Sequence, residues 1–71
     1  MILSANYMEV FAMSKITHRL TPAVYSHTNK SLFVFDAKEG VREFTQDEVR
    51  EIYELIDPFT GIQYNLDNIL L

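Results

Sequence analysis

Cysteine is absent from the 71-residue chain, which excludes disulfides, thiolate metal sites, cysteine nucleophiles and thiol redox chemistry. Glycine is scarce: Gly40 and Gly61 are the two in the chain, too few for a loop that cradles phosphate with backbone amides. Positive charge is scarce too. Six Lys and Arg stand against ten Asp and Glu, and a net charge of −4 falls short of a basic nucleic-acid-binding domain. Long apolar runs are missing, and no stretch approaches the ~18 residues of a membrane span. "MILSANYMEVFAMSK" has no cation ahead of its apolar residues and is interrupted by Asn6 and Glu9, unlike a secretory leader. The expectation is a cytoplasmic protein without a membrane segment. Met13 opens "MSKITHRL", an ordinary start, so residues 1–12 read as an extension within one small domain spanning 1–71.

Apolar side chains are plentiful: 48% of residues are hydrophobic, with five Phe, four Tyr and three Met. By surface scaling, folding a chain of this mass buries ~7,400 Å², which contributes on the order of 110 kcal/mol if ~60% is apolar. Ordering the chain costs about 105 kcal/mol. The balance is near zero, so a monomer needs reinforcement that cysteine cannot supply. A homodimer, or folding onto a protein partner, is expected.

The pattern of residues predicts an α+β fold. Ser4 as cap, with Leu3, Tyr7, Val10, Phe11 and Ser14 at helical spacing, predicts an N-terminal helix over 4–19. Lys15, His18 and Arg19 suit its C-terminal end, and Pro22 stops it. Residues 15–20 also alternate as a strand would, through Ile16, His18 and Leu20. "AVYSH" (23–27), "SLFVFD" (31–36) and "VREF" (41–44) then read as a three-stranded antiparallel β-meander. Leu32 to Phe35 are apolar in both alternating positions, which predicts a strand covered on two faces.

Thr45-Gln46-Asp47-Glu48 is a capping box, and Val49, Ile52, Tyr53 and Ile56 follow at i, i+3, i+4 and i+7. An amphipathic helix over 46–56, packed on the sheet, is predicted, ending at Asp57-Pro58. Asn65 caps a short C-terminal helical turn with Leu66, Ile69 and Leu70 inward.

Candidate chemistry is thin. Residues 57–68 resemble a calcium loop at a glance, but its ligand positions 3, 5 and 12 fall on Phe59, Gly61 and Asn68. One carboxylate does not hold a dehydrated divalent ion, so a turn closed by Gly61 explains the segment. His18 and His27 lack further ligands at characteristic spacing, and neither Ser26 nor Ser31 sits in a nucleophile elbow. No metal, cofactor or catalytic constellation is expected, and the chain is not read as an enzyme.

Charge is unevenly spread. Residues 1–35 carry Lys15, Arg19 and Lys30 against Glu9, a net of +2, whereas 36–71 carry nine carboxylates against three cations, a net of −6. On a 46–56 helix, Asp47, Glu51 and Glu54 would form one acidic stripe opposite the apolar face. Like charges at that spacing repel by a few tenths of a kcal/mol per pair, so the stripe is the candidate partner-binding surface. A solvated helix face is the plain alternative. The leading expectation is a small non-catalytic interaction protein, a regulator or inhibitor of another protein. A nucleic-acid-binding regulator using residues 15–30, or an accessory subunit of an enzyme complex, are the alternatives.

Overall fold

A computed structural model describes residues 7–70. Its elements are β1 (Tyr7–Ser14), β2 (Leu20–Ser26), β3 (Ser31–Asp36), β4 (Gly40–Thr45), α1 (Gln46–Ile52), β5 (Tyr53–Ile56) and α2 (Leu66–Ile69). The strands form one antiparallel sheet in the order β4-β3-β2-β1-β5. The expected α+β fold with a three-stranded meander is therefore corrected to a mostly-β, five-stranded sheet. Among the described residues no helix is long and apolar enough to cross a membrane.

No N-terminal helix forms over the described part of 4–19; residues 4–6, with the Ser4 cap, and Leu3 lie outside the described residues. Helical spacing of Tyr7, Val10, Phe11 and Ser14 coexists with alternation of Met8, Val10 and Ala12, and tertiary pairing selects the alternation. Those three side chains turn inward, with Val10 and Ala12 fully buried, while β2 pairs along one edge of the strand and β5 pairs with Phe11–Ser14 on the other. Residues 7–12, expected as an extension, thus supply most of the strand between β2 and β5.

The capping box is present. Thr45 Oγ1 accepts from the Glu48 amide, and Glu48 Oε1 accepts from the Thr45 amide at 2.8 Å. The helix it starts ends early, at Ile52 instead of 56. The Lys15 amide donates to the Ile52 carbonyl at 2.9 Å and the Lys15 ammonium reaches the Arg50 carbonyl, so the β1–β2 turn ties off α1. Tyr53 to Ile56 then pair with Ser14 to Phe11, which places Leu55 opposite Ala12 and buries it completely. Helical continuation would instead leave one edge of β1 without a partner.

The inner face of the sheet makes the core. Val10, Ala12, Ala23, Tyr25, Leu32, Val34, Phe44 and Leu55 are joined by Val49 of α1 and by Leu70 after α2. Tyr25 keeps its hydroxyl satisfied by accepting from Gln46 Nε2 at 3.0 Å. Asn65 caps α2 through the Asp67 amide.

Two hairpins turn without glycine. In each, a serine hydroxyl at the strand end accepts a loop amide, Ser14 from Ile16 and Thr17 and Ser26 from Asn29. A residue near the end of each loop then takes a left-handed conformation, His18 at φ 61° and Lys30 at φ 55°. That region costs a residue with a Cβ about 1–2 kcal/mol. Lys30→Gly is expected to raise stability by about 0.5–1 kcal/mol, or about 2–8 °C in melting temperature for a domain of this size. Gly40→Ala should do the reverse, since Gly40 has φ 79° and an added Cβ there meets nothing within 4 Å. Thermal melts of both variants check this, and an unchanged or lower Tm for Lys30→Gly would reject the turn geometry.

Candidate functional site

The other face of the sheet is also apolar, and among the described residues no helix covers it. Antiparallel register places its side chains in rows across the strands. The central row runs Val41 beside Phe35, Pro22 beside Phe11, and Phe11 beside Ile56. Continuing the β2–β3 register by one residue sets Phe35 beside Pro22, which makes the row continuous over all five strands. On one side of it lies the row Glu43, Phe33, Val24 and Glu9. On the other lie Leu20, Met13 and Glu54.

Several of these apolar side chains are open to solvent, Val41 at 61%, Leu20 at 54%, Tyr7 at 46% and Phe35 at 43% exposure. A shallow groove of about 270 Å³ crosses the face between Tyr7 on β1 and Val41 on β4, floored by Val24, Phe33 and Phe35. A second, of about 260 Å³, continues past Phe11 and Pro22 to Pro58. Single exposed apolar residues need no explanation, but a contiguous row of them marks a contact surface.

Charge on this face lies at its margins. The three carboxylates within it are Glu9, Glu43 and Glu54. Ser31 donates to Glu43 Oε2 at 2.7 Å, and Gln63 Nε2 to Glu54 Oε2 at 3.2 Å, so two of them are held in place by neutral donors. Cations lie past the opposite end of the strands from Glu9 and Glu43. There a cleft of about 220 Å³ runs between Arg19 and Lys38, alongside Leu20, Pro22 and Phe35. Asp36 sits in the same turn, where the Glu39 and Lys38 amides donate to its carboxylate and hold its pKa below the ordinary value, helped by Arg19 and Arg42. Glu39 is paired with Arg42 at 3.1 Å. Among the described residues neither Arg19 nor Lys38 is in an ion pair.

The predicted acidic stripe is not a single edge. Asp47 and Glu51 lie exposed on α1, but Glu54 belongs to β5 and faces the outer side of the sheet beside Met13. Arg50 is drawn away to Asp67 at 2.8 Å. The repulsion that motivated a three-carboxylate site is therefore absent as conceived. The basic segment 15–30 is also divided. Lys15, His18 and Arg19 sit at the β1–β2 turn, and His27 and Lys30 at the β2–β3 turn, the far end of β2.

In the 57–68 segment, Asp57 Oδ1 accepts from the Phe59 amide at 2.8 Å and Gly61, at φ 75°, closes the turn. The Asp57 and Gly61 amides complete it by donating to the Ile62 and Asp57 carbonyls. Tyr64 folds back over this turn, where desolvation, followed by the Asp57 charge, raises its phenol pKa above the ordinary value. Among the described residues no three His, Asp or Glu side chains are grouped as a metal site requires.

Sequence reasoning pointed to one strand of the outer face, through the two-sided apolar run Leu32–Phe35, and missed its extent. The signal was there in β1, where Tyr7, Phe11 and Met13 are apolar in one parity and Met8, Val10 and Ala12 in the other. No family model, curated protein or solved structure matches the chain.

Proposed function

We propose that the protein is a small non-catalytic interaction module of the cytoplasm, a regulator or inhibitor of another protein, whose contact surface is the outer face of its sheet. The observation that carries this reading is the apolar row from Val41 to Ile56, which crosses every strand and has no cover from either helix. An apolar centre with charge at its margins is how protein contact surfaces are built. The surviving exposed carboxylates Asp47 and Glu51 are on the helical side of the sheet and would at most steer encounter. Aromatic side chains on an open sheet also serve as platforms for nucleic-acid bases, but Glu9 and Glu43 within this one oppose a phosphate backbone.

Photo-crosslinking tests the reading in the native host. A photoreactive phenylalanine analogue at Phe35 or Val41 is expected to give a discrete adduct with another protein, and one at Thr17 on the β1–β2 turn is not. Heterologous adducts arising only from positions off the outer face would reject it.

A further inference from the structure

We infer that the open edge of β4 accepts an extended segment of a partner as a sixth, antiparallel strand, with a basic residue opposite Glu43 and an apolar one opposite Val41. This rests on the reading of the protein as an interaction module and names how its partner is held.

Hydrogen bonding defines the edge. Beyond β5 the sheet is backed: Ile56 bridges to Gln63, and the Tyr64 amide donates to the Leu55 carbonyl at 2.8 Å. Beyond β4 no strand follows. The Thr45 amide donates to Glu48 Oε1 at 2.8 Å, so it points away from β3. Backbone groups alternate between the two sides of an antiparallel strand, so Val41 and Glu43 share the orientation of Thr45. Gly40, Arg42 and Phe44 are left to bond β3. Among the described residues no turn or loop backbone group reaches Val41 or Glu43. Their amides and carbonyls line the edge in extended geometry, the template that strand addition uses.

A second copy of β4 does not suit this template. Two-fold antiparallel pairing through the outward groups must centre on Val41, Arg42 or Glu43. The first sets Glu43 opposite Glu39, the second Arg42 opposite Arg42, and the third Glu43 opposite Glu43. Like charges directly opposite destabilise a strand pair. A different chain escapes all three.

Charge and side-chain rows specify that chain. Residues 36–48, which contain β4 and its flanks, hold five carboxylates against two cations, a net of −3. Glu43 is fixed through Oε2 by the Ser31 hydroxyl, which leaves Oε1 for a cation, and it forms no ion pair among the described residues. Arg42 is already paired with Glu39 and lies over the Phe44 ring, so its neighbour on the incoming strand is unrestricted. Val41 ends the apolar row of the outer face and is largely exposed. An apolar residue beside it carries that row onto the added strand. In antiparallel addition the residue opposite Glu43 comes two before the one opposite Val41, so the segment reads basic–x–apolar along its chain.

Selection of short random peptides, displayed on phage, against the purified full chain tests this. Enriched peptides should share the basic–x–apolar pattern, and binding should slow amide exchange at Val41 and Glu43 by about ten-fold or more. In the free protein those two amides should exchange faster than those of Arg42 and Phe44. Glu43→Pro removes an outward donor while sparing the β3 ladder, and should raise the dissociation constant of the enriched peptides about ten-fold or more. Glu43→Lys keeps the donor and reverses the charge, and should raise it about three- to ten-fold. If Glu43→Pro does not fold, Val41→Pro and exchange in the wild-type protein decide.

No enrichment over the unselected library, enriched peptides that lack the pattern, or protection centred on Tyr7 and Glu9, where β1 runs past the end of β5, would each overturn the inference. So would a folded Glu43→Pro that binds the peptides unchanged, or Val41 and Glu43 amides already protected in the free chain. None of these touches the broader reading, which stands or falls on adducts with another protein.

Discussion

Leu55→Ala is expected to cost about 2–5 kcal/mol, the usual range for emptying a fully buried leucine site. A domain of this length has about 4–10 kcal/mol in all, so the variant should lose a large share of its stability and unfold at a much lower denaturant concentration. Ile56→Ala, one residue on, should cost much less in the monomer, because Ile56 is on the outer face and only half-buried. The contrast reads out which structure residues 53–56 adopt. As a strand, their parity puts Leu55 opposite Ala12 with the core beyond it. As the last turn of a helix, they would put Ile56 on the face of Val49 and Ile52, and Leu55 off it. Urea unfolding of the two variants decides the matter: a costly Ile56 and a tolerant Leu55 would mean that β5 does not exist.

Ala12→Leu is expected to lose about 1–3 kcal/mol through overpacking. Ala12 is fully buried in the core, set between Thr21 on β2 and Leu55 on β5. On a helix over 4–19 the same position falls outside the apolar stripe, and leucine would be harmless there or slightly helpful. Denaturant midpoints compare the two cases directly. A neutral or stabilising Ala12→Leu would argue against β1 as the strand flanked on both sides.

Local chemistry was legible wherever a few neighbouring residues suffice to set the backbone. Thr45 and Glu48 cap α1 as a reciprocal pair, Asn65 caps α2, and the segments read as strands at 23–27, 31–36 and 41–44 overlap β2, β3 and β4. The 57–62 turn forms around Asp57 and Gly61 because a carboxylate that bonds its own backbone and a glycine with positive φ need no distant partner. The wide two-sided apolar content of the chain was legible too, at Leu32–Phe35.

Tertiary structure decided the rest. β1 and β5 each carry apolar residues in an order compatible with both periods, so neither helical nor strand spacing wins within the segment. The choice falls to pairing, since each supplies the other's missing hydrogen bonds and together they bury Ala12 against Leu55. The site followed the same division. Asp47, Glu51 and Glu54 stand on one stripe only if the helix runs on to 56; once β5 claims residues 53–56, Glu54 passes to the other side of the molecule. The outer face, with its apolar row and its marginal charges, comes from residues as far apart as Tyr7 and Ile56. Their juxtaposition is set by strand order and register, which no short window of sequence contains.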